Sequence, residues 1–109
     1  MNSTNKILCT GGTGFVGYWL QRTQPDNVDA LYLSHKNYNS LRWNNWTGYN
    51  VIHLANVNPS NVIRLCRENN TRLLYASSGI VYHPEWNTDY RKDKVISEQD
   101  VATAGIDAV

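Results

Sequence analysis

Three residues in the second half of the chain have the types and spacing for proton transfer to a small substrate. Tyr90 and Lys94 lie four residues apart in "YRKDK", so a helix would place both on one face. A free phenol titrates at about pH 10, and a neighbouring ammonium favours the phenolate, so such a pair can act as a general base at neutral pH. Ser78 lies in "ASSGIVY", directly after an apolar run, where its hydroxyl could hold the same substrate oxygen. The alternative is a solvated pair on a helix surface, because this spacing also arises by chance.

A glycine-rich segment, "TGGTGFVG" at residues 10–17, follows the first apolar run of the chain, and residues 12–17 fit G-x-G-x-x-G. Between a strand and a helix, glycines allow a sharp turn, close approach of the backbone to a pyrophosphate, and tight packing of the helix on the sheet. The first amides of the helix, those of Phe15 and Val16, would donate to the phosphates. The predicted cofactor-binding residues of this loop are Gly11, Gly12, Thr13, Gly14, Phe15, Val16 and Gly17. A plain structural turn is the alternative, and the segment is not a P-loop, because no Lys-Ser/Thr follows its last glycine.

The end of the second predicted strand bears on which dinucleotide the loop would take. A residue about 20 positions beyond the loop usually contacts the ribose, and an acid there favours NAD. In this chain the region reads "LYLSHKN" and holds Ser34, His35 and Lys36 without an acid. An acid would repel a 2′-phosphate, whereas a hydroxyl beside a cation would accept one. We therefore expect Ser34 and Lys36 to contact the cofactor and NADP to be favoured over NAD, with a solvated loop as the alternative.

The elements that position these residues alternate between short apolar strands and helices. Strands are predicted at residues 6–10, 30–34, 50–54 and 72–76, with a further strand opening at 106–109. Helices are predicted at residues 14–23, from Pro59 onward, and at 90–104. The buried faces are expected to be Val16, Trp19 and Leu20 on the first helix and Val62, Leu65 and Cys66 on the second. Asn58 is expected to cap the start of the second helix and Asp89 that of the third. Gly105 is expected to end the third helix.

This alternation predicts an α/β fold with a parallel sheet covered by helices on both faces. In such sheets ligands bind beyond the carboxyl ends of the strands. Polar segments fall at three of those ends, at residues 10–17, 53–56 and 77–82. The sequence therefore predicts that these three polar segments lie at one edge of the sheet.

Four segments occur in a fixed order along the chain, "KILCTGGTGFVG", "VIHLAN", "LLYASSGIVY" and "YRKDKVISE". Together they resemble the extended short-chain dehydrogenase/reductase family, the NAD(P)-dependent sugar epimerases and dehydratases. The family motifs are T-G-x-x-G-x-x-G, H-x-A-A, S-S-x-x-V-Y and Y-x-x-x-K-x-x-x-E, and Asn56 is a departure from the second. The resemblance implies a Rossmann-type doubly wound parallel sheet.

The resemblance also implies roles for individual residues. Ser78 would be the catalytic serine, Tyr90 the acid/base and Lys94 its partner, and the last two would also contact the cofactor. The cofactor would further be lined by Leu54, Ala55 and Asn56, and Glu98 would be a helix-surface or structural residue. The implied activity is an oxidoreductase step, hydride transfer between NADP or NAD and a small molecule of the nucleotide-sugar type. Pairing of subunits through the helix at residues 90–104 would give a homodimer.

The chain departs from the family in length. Its 109 residues make one NAD(P)-binding domain, residues 1–109, and match only the first part of a family member. We therefore expect a shortened sheet, truncated at the C-terminus, with the C-terminal substrate domain absent. Ser78 and Tyr90 are 12 residues apart, which is shorter than the usual gap in the family. The segment between the second predicted strand and "VIHLAN" also lacks the strand that the family has there. The alternatives are a non-catalytic dinucleotide-binding module, a truncated remnant, and a small NADP-dependent carbonyl reductase.

Composition and hydropathy limit which partners and which cellular compartment we expect for this protein. A net charge of +1 with 17% charged residues indicates neither nucleic acid nor an anionic membrane as a partner. No apolar run approaches the roughly 20 residues of a membrane span, and the polar start of the chain is unlike a signal peptide. Cys9 and Cys66 fall in apolar patterns and are expected to be small core residues of a cytoplasmic protein, without a disulfide or a metal site.

Overall fold

The structure, a computed structural model, describes residues 5–12, 14–34, 46–55, 57–77 and 79–109, without the side chains of residues 79 and 80. Five predicted or candidate site residues lie outside the described residues: Thr13, His35, Lys36, Asn56 and Ser78. The strands are β1 (Asn5–Thr10), β2 (Val28–Leu33), β3 (Tyr49–His53) and β4 (Leu73–Tyr75). The helices are α1 (Phe15–Thr23), α2 (Ser60–Asn69) and α3 (Asp89–Thr103), and a short 3-10 helix (Gly79–Tyr82) precedes α3.

The four strands form one parallel sheet in the order β2-β1-β3-β4. The predicted α/β architecture with a parallel sheet is therefore confirmed. The chain leaves β1 toward one edge of the sheet and returns to the other side of β1 as β3, so the strand order reverses between these two strands. Crevices at such a reversal, beyond the carboxyl ends of the strands, are the usual ligand sites of open parallel sheets.

The predicted start of a further strand is present beside β4. The amide of Leu73 donates to the carbonyl of Asp107 at 2.9 Å, and the amide of Tyr75 donates to that of Val109 at 3.0 Å. Leu73 and Ala108 form a parallel bridge. The last described residues therefore extend the sheet in the parallel sense on the side of β4.

The hydrophobic core lies between one face of the sheet and helices α2 and α3. Register places Leu8, Val51 and Leu73 side by side on adjacent strands, and these residues are almost completely buried. The buried stripe predicted for α2, Val62, Leu65 and Cys66, is confirmed in this core, and Val101 joins it from α3. Cys9 and Cys66 are both buried free thiols, and burial raises the pKa of Cys9 to about 11.

The predicted buried face of α1 is wrong for two of its three residues. Val16 is 53% exposed and Trp19 is 50% exposed, whereas Leu20 is half-buried. The buried residue of this helix is Gly17. A Cβ placed on Gly17 would lie 2.6 Å from the carbonyl oxygen of Gly11, so the helix approaches the loop by its glycine rather than by its large side chains.

The ends of the other helices follow the predictions to within one or two residues. Thr88 rather than Asp89 caps α3, and its Oγ1 accepts a hydrogen bond from the amide of Arg91 at 3.2 Å. A hydroxyl cap in the extended conformation satisfies an amide of the first turn, which displaces the predicted cap by one residue. At the start of α2, Asn58 Oδ1 accepts from the amide of Ser60 at 2.8 Å, and Pro59 is the capping residue. Gly105, with φ of +71°, follows the end of α3 as predicted.

Candidate functional site

The loop between β1 and α1 is packed so that glycine is needed at three points. At one of them, Gly12, an added Cβ would lie 2.6 Å from the Cβ of Tyr32. Gly11 has φ of +73°, and a Cβ on it would lie 2.7 Å from the amide nitrogen of Ala55. A Cβ on Gly17 would lie 2.6 Å from the Cα of Gly12 and 2.6 Å from the oxygen of Gly11. The contacts at Gly11 and Gly17 are between backbone atoms, so no side chain can move to relieve them. The loop is therefore pressed against α1 on one side and against the chain after β3 on the other.

Gly14 is a different case. Its φ is −78°, a value open to any residue, and a Cβ on it would meet only the oxygen of Gly11, at 3.3 Å, among the described residues. Gly14 is the N-terminal capping residue of α1, and no side chain of the described residues caps this end. The next two residues, Phe15 and Val16, are 80% and 53% exposed. Because the first amides of a helix have no partner within it, this exposed end can donate to an anion.

The carboxyl ends of β2 and β3 adjoin the glycine loop. The amide of Gly12 donates to the carbonyl of Leu33 at 2.9 Å, which places Ser34, the half-buried next residue, at the same edge. The amide of Leu54 donates to the carbonyl of Thr10 at 3.2 Å, and the amide of Ala55 donates to Thr10 Oγ1 at 3.2 Å. The structure thus brings Ser34, Leu54 and Ala55 together with the loop.

A buried histidine joins β1 to the chain after β3. His53 has no exposed surface; its Nδ1 lies 2.7 Å from Thr10 Oγ1 and its Nε2 lies 3.1 Å from the carbonyl oxygen of Val57. A carbonyl can only accept, so Nε2 carries the proton of the neutral ring and Nδ1 accepts from the Thr10 hydroxyl. Burial lowers the pKa of His53 to about 4; the hydrogen bond to Val57 opposes this shift and the positive charge of Lys94 adds to it. The ring is therefore neutral at physiological pH.

This histidine makes the stability of the fold depend on pH. Its pKa falls from 6.5 to about 4 on folding, so the unfolded chain binds the proton more readily between these values. The contribution of the neutral His53 to the free energy of unfolding is therefore fully present above about pH 6.5. It declines as the pH falls, and about 3 kcal/mol of it is lost at pH 4. Urea unfolding measured from pH 7.5 to 4 is expected to show this decline. The variant His53→Gln should lose that part of the slope, and equal slopes in the two proteins would contradict a neutral buried His53.

The predicted Tyr90–Lys94 pair is present on α3. Lys94 is buried, and its Nζ lies 5.8 Å from the ring centroid of Tyr90 and 5.6 Å from that of Tyr75. The ring of Tyr75 in turn stacks on that of His53, with the centroids 5.8 Å apart and the planes 16° from parallel. A continuous set of contacts therefore leads from the glycine loop through His53 and Tyr75 to Lys94.

The end of β4 is tied to the same helix. Ser77 Oγ donates to a carboxylate oxygen of Glu98 at 2.6 Å, which agrees with the structural role implied for Glu98. Beside Lys94, a pocket of about 250 Å³ opens between α3 and the chain that precedes α2. Its lining residues are Val57, Asn58, Asp93, Lys94, Ile96 and Ser97.

Among the residues that the structure describes, no three His, Cys, Asp or Glu side chains cluster as metal ligands, and no helix is long and apolar enough to cross a membrane.

Sequence reasoning had assigned no role to three members of this site, Thr10, His53 and Tyr75. A signal for His53 was available, because it alternates with Val51 in a strand whose alternate residues are buried. Thr10 was marked only as the first residue of the glycine-rich segment, and nothing local indicated Tyr75. Their roles come from the register, which places Thr10 directly beside His53 and His53 directly beside Tyr75.

The similarity of this chain to known proteins supports its fold and does not show its function. No family model matches this chain, and no curated protein does. Among solved structures, the chain is similar to the crystal structure of the capsular polysaccharide assembling protein CapF from Staphylococcus aureus, with a TM-score of 0.66 at 20% sequence identity. The match covers 94% of this chain and 32% of that protein, so the chain spans about a third of its neighbour's length. At this identity the likeness shows a common fold alone.

Proposed function

We propose that this chain is a Rossmann-type dinucleotide-binding domain, which takes NADP or NAD at the reversal of strand order between β1 and β3. The observation that carries the proposal is Gly14. Packing within the described chain requires glycine at Gly11, Gly12 and Gly17. A Cβ on Gly14 would come no closer than 3.3 Å to any described atom, and Gly14 lies at the exposed N-terminus of α1. A pyrophosphate held there would need a residue without a side chain, because the backbone must approach it closely.

The residues around this point fit the remaining parts of a dinucleotide. The amides of Phe15 and Val16 would donate to the pyrophosphate. Ser34 would contact the adenosine ribose, and together with Lys36 it would favour a 2′-phosphate and hence NADP. Leu54 and Ala55, which are hydrogen-bonded to Thr10 beside the loop, would line the crevice. Thr13 and Asn56 would complete the set.

The proposed chemistry is that of the epimerase/dehydratase family. The bound cofactor would supply the hydride acceptor or donor. Tyr90 would exchange a proton with a substrate hydroxyl or carbonyl, and the Lys94 ammonium, 5.8 Å from its ring centroid, would stabilise negative charge on the phenolate. Ser78 would hold the same substrate oxygen. Two observations support a substrate of the nucleotide-sugar type. One is the resemblance of the four sequence segments to the epimerase/dehydratase family. The other is the name of the structural neighbour, a capsular polysaccharide assembling protein.

Titration of the purified protein with NADPH and NADH tests the proposal. The four tryptophans allow binding to be followed by fluorescence. We expect both nucleotides to bind, and NADPH to bind more tightly. Tyr90→Phe should leave both affinities nearly unchanged, because its hydroxyl acts on the substrate, and should abolish turnover of any nucleotide sugar that the wild-type chain converts. Binding of neither nucleotide would refute the proposal, and equal affinities would refute the role of Ser34 and Lys36.

A further inference from the structure

Lys94 is an ammonium group in an unusually buried place. Only 7% of the residue is exposed, although an ammonium loses much of its hydration when it is buried. Two aromatic rings lie within the 6 Å or so over which a ring face attracts a cation, those of Tyr75 and Tyr90. The faces of these rings therefore replace part of the water that Lys94 has lost.

Of the two rings, that of Tyr75 is the more firmly held. Tyr75 is half-buried on β4, and its ring stacks on that of His53. Tyr90 is 42% exposed and lies on the same helix as Lys94, so its ring moves with that helix. Tyr75 thus links the sheet, the buried His53 and α3 at the point where the ammonium lies.

We infer that Tyr75 is a positioning residue, whose ring face fixes the Lys94 ammonium beside Tyr90 at the carboxyl edge of the sheet. Removal of the ring leaves the side chain of Lys94 free to withdraw from Tyr90 into the adjoining pocket, which it already lines. The consequence for catalysis and cofactor binding rests on the function proposed above. The position of Lys94 itself does not, and it can be measured in the protein without any ligand.

The test uses protein in which lysine alone carries ¹³C at Cε, so that the four lysines give four signals in a carbon–proton NMR spectrum. Protons over a ring face are shifted upfield. We expect the Lys94 signal, assigned from Lys94→Arg, to lie upfield and to show a nuclear Overhauser effect to the Tyr75 ring. Tyr75→Leu should return this signal to the position of a solvated lysine. Tyr75→Phe, which keeps the ring and loses only the hydroxyl, should retain the upfield shift.

The chain contains a matched control at the opposite end of the sheet. Lys6 Nζ lies 5.7 Å from the ring centroid of Tyr49. Tyr49→Leu should therefore move the Lys6 signal and leave that of Lys94 unchanged, whereas Tyr75→Leu should do the reverse. An unshifted Lys94 signal in the wild-type protein, or no nuclear Overhauser effect to Tyr75, would overturn the inference even if Tyr75→Leu failed to fold.

Binding of NADPH to the same variants separates this inference from the proposed function. If both hold, Tyr75→Leu lowers the affinity by about three- to tenfold, and Tyr75→Phe restores it. If the wild-type protein binds no dinucleotide but the Lys94 signal behaves as expected, the proposed function fails and the positioning of Lys94 stands. If NADPH binds and the signal of Lys94 is the same in the wild-type protein and in Tyr75→Leu, the inference fails and the proposed function stands.

Discussion

Substitution of Gly17 by alanine is expected to destabilise the protein by about 2 kcal/mol, which is opposite in sign to the usual effect of this change within a helix. A helical glycine replaced by alanine ordinarily gains up to about 1 kcal/mol. Here the new Cβ would lie 2.6 Å from the oxygen of Gly11, 2.6 Å from the Cα of Gly12 and 2.7 Å from the oxygen of Gly12. All three are backbone atoms, so α1 must move away from the loop, and the cost of this overpacking exceeds the gain in helix propensity.

The free energy of unfolding, measured in urea by tryptophan fluorescence, checks this prediction. Gly14→Ala is the matched control in the same loop, because its Cβ would meet only the oxygen of Gly11, at 3.3 Å. We expect this control to cost no more than about 1 kcal/mol, the loss of a favourable capping residue. A Gly17→Ala protein as stable as the wild type would show that α1 does not pack on the loop through this glycine.

Substitution of Gly14 by aspartate is expected to have opposite effects on stability and on cofactor binding. Gly14 is the capping residue of α1, with extended backbone, and an aspartate there can accept from the first amides and interact favourably with the helix dipole. Stability should therefore be unchanged or slightly increased. The same carboxylate would lie where the proposed pyrophosphate binds, and repulsion between them should weaken NADPH binding by at least about a hundredfold.

Gly14→Asn separates the charge from the side-chain volume. Asparagine caps a helix about as well as aspartate and has nearly the same shape. We expect Gly14→Asn to bind NADPH more tightly than Gly14→Asp, with a gap between the two variants that narrows as salt is added. Unchanged affinity in both variants would exclude Gly14 from the cofactor site. Equal and large losses would mean that only the space at Gly14 matters.

Much of the fold could be predicted from the sequence because its signals are local. Apolar runs marked the four strands to within one or two residues, and the stripe of Val62, Leu65 and Cys66 on α2 was recognisable from its helical spacing. The strand–loop–helix context of the glycine segment and the four-residue spacing of Tyr90 and Lys94 are equally local. Spacing along a helix sets which side chains share a face, so these two residues were bound to be neighbours once α3 formed.

Local pattern failed where contacts between distant segments decide the outcome. The apolar residues Val16 and Trp19 were predicted to face the sheet, but the close approach of Gly17 to the loop turns α1 so that both are half-exposed. The contact between Thr10 and His53 joins residues 43 positions apart, and it exists because the register of β1 and β3 aligns them. No local pattern could have indicated it.

By itself, then, the sequence determined which elements form, where the candidate loop lies, and that Tyr90 and Lys94 share one face of a helix. Only the tertiary structure decided that Thr10, His53, Tyr75 and Lys94 form one continuous set of contacts beside that loop. The physical reason is that hydrogen-bond register and close packing are properties of pairs of segments. Neither is expressed in the residue pattern of one segment alone.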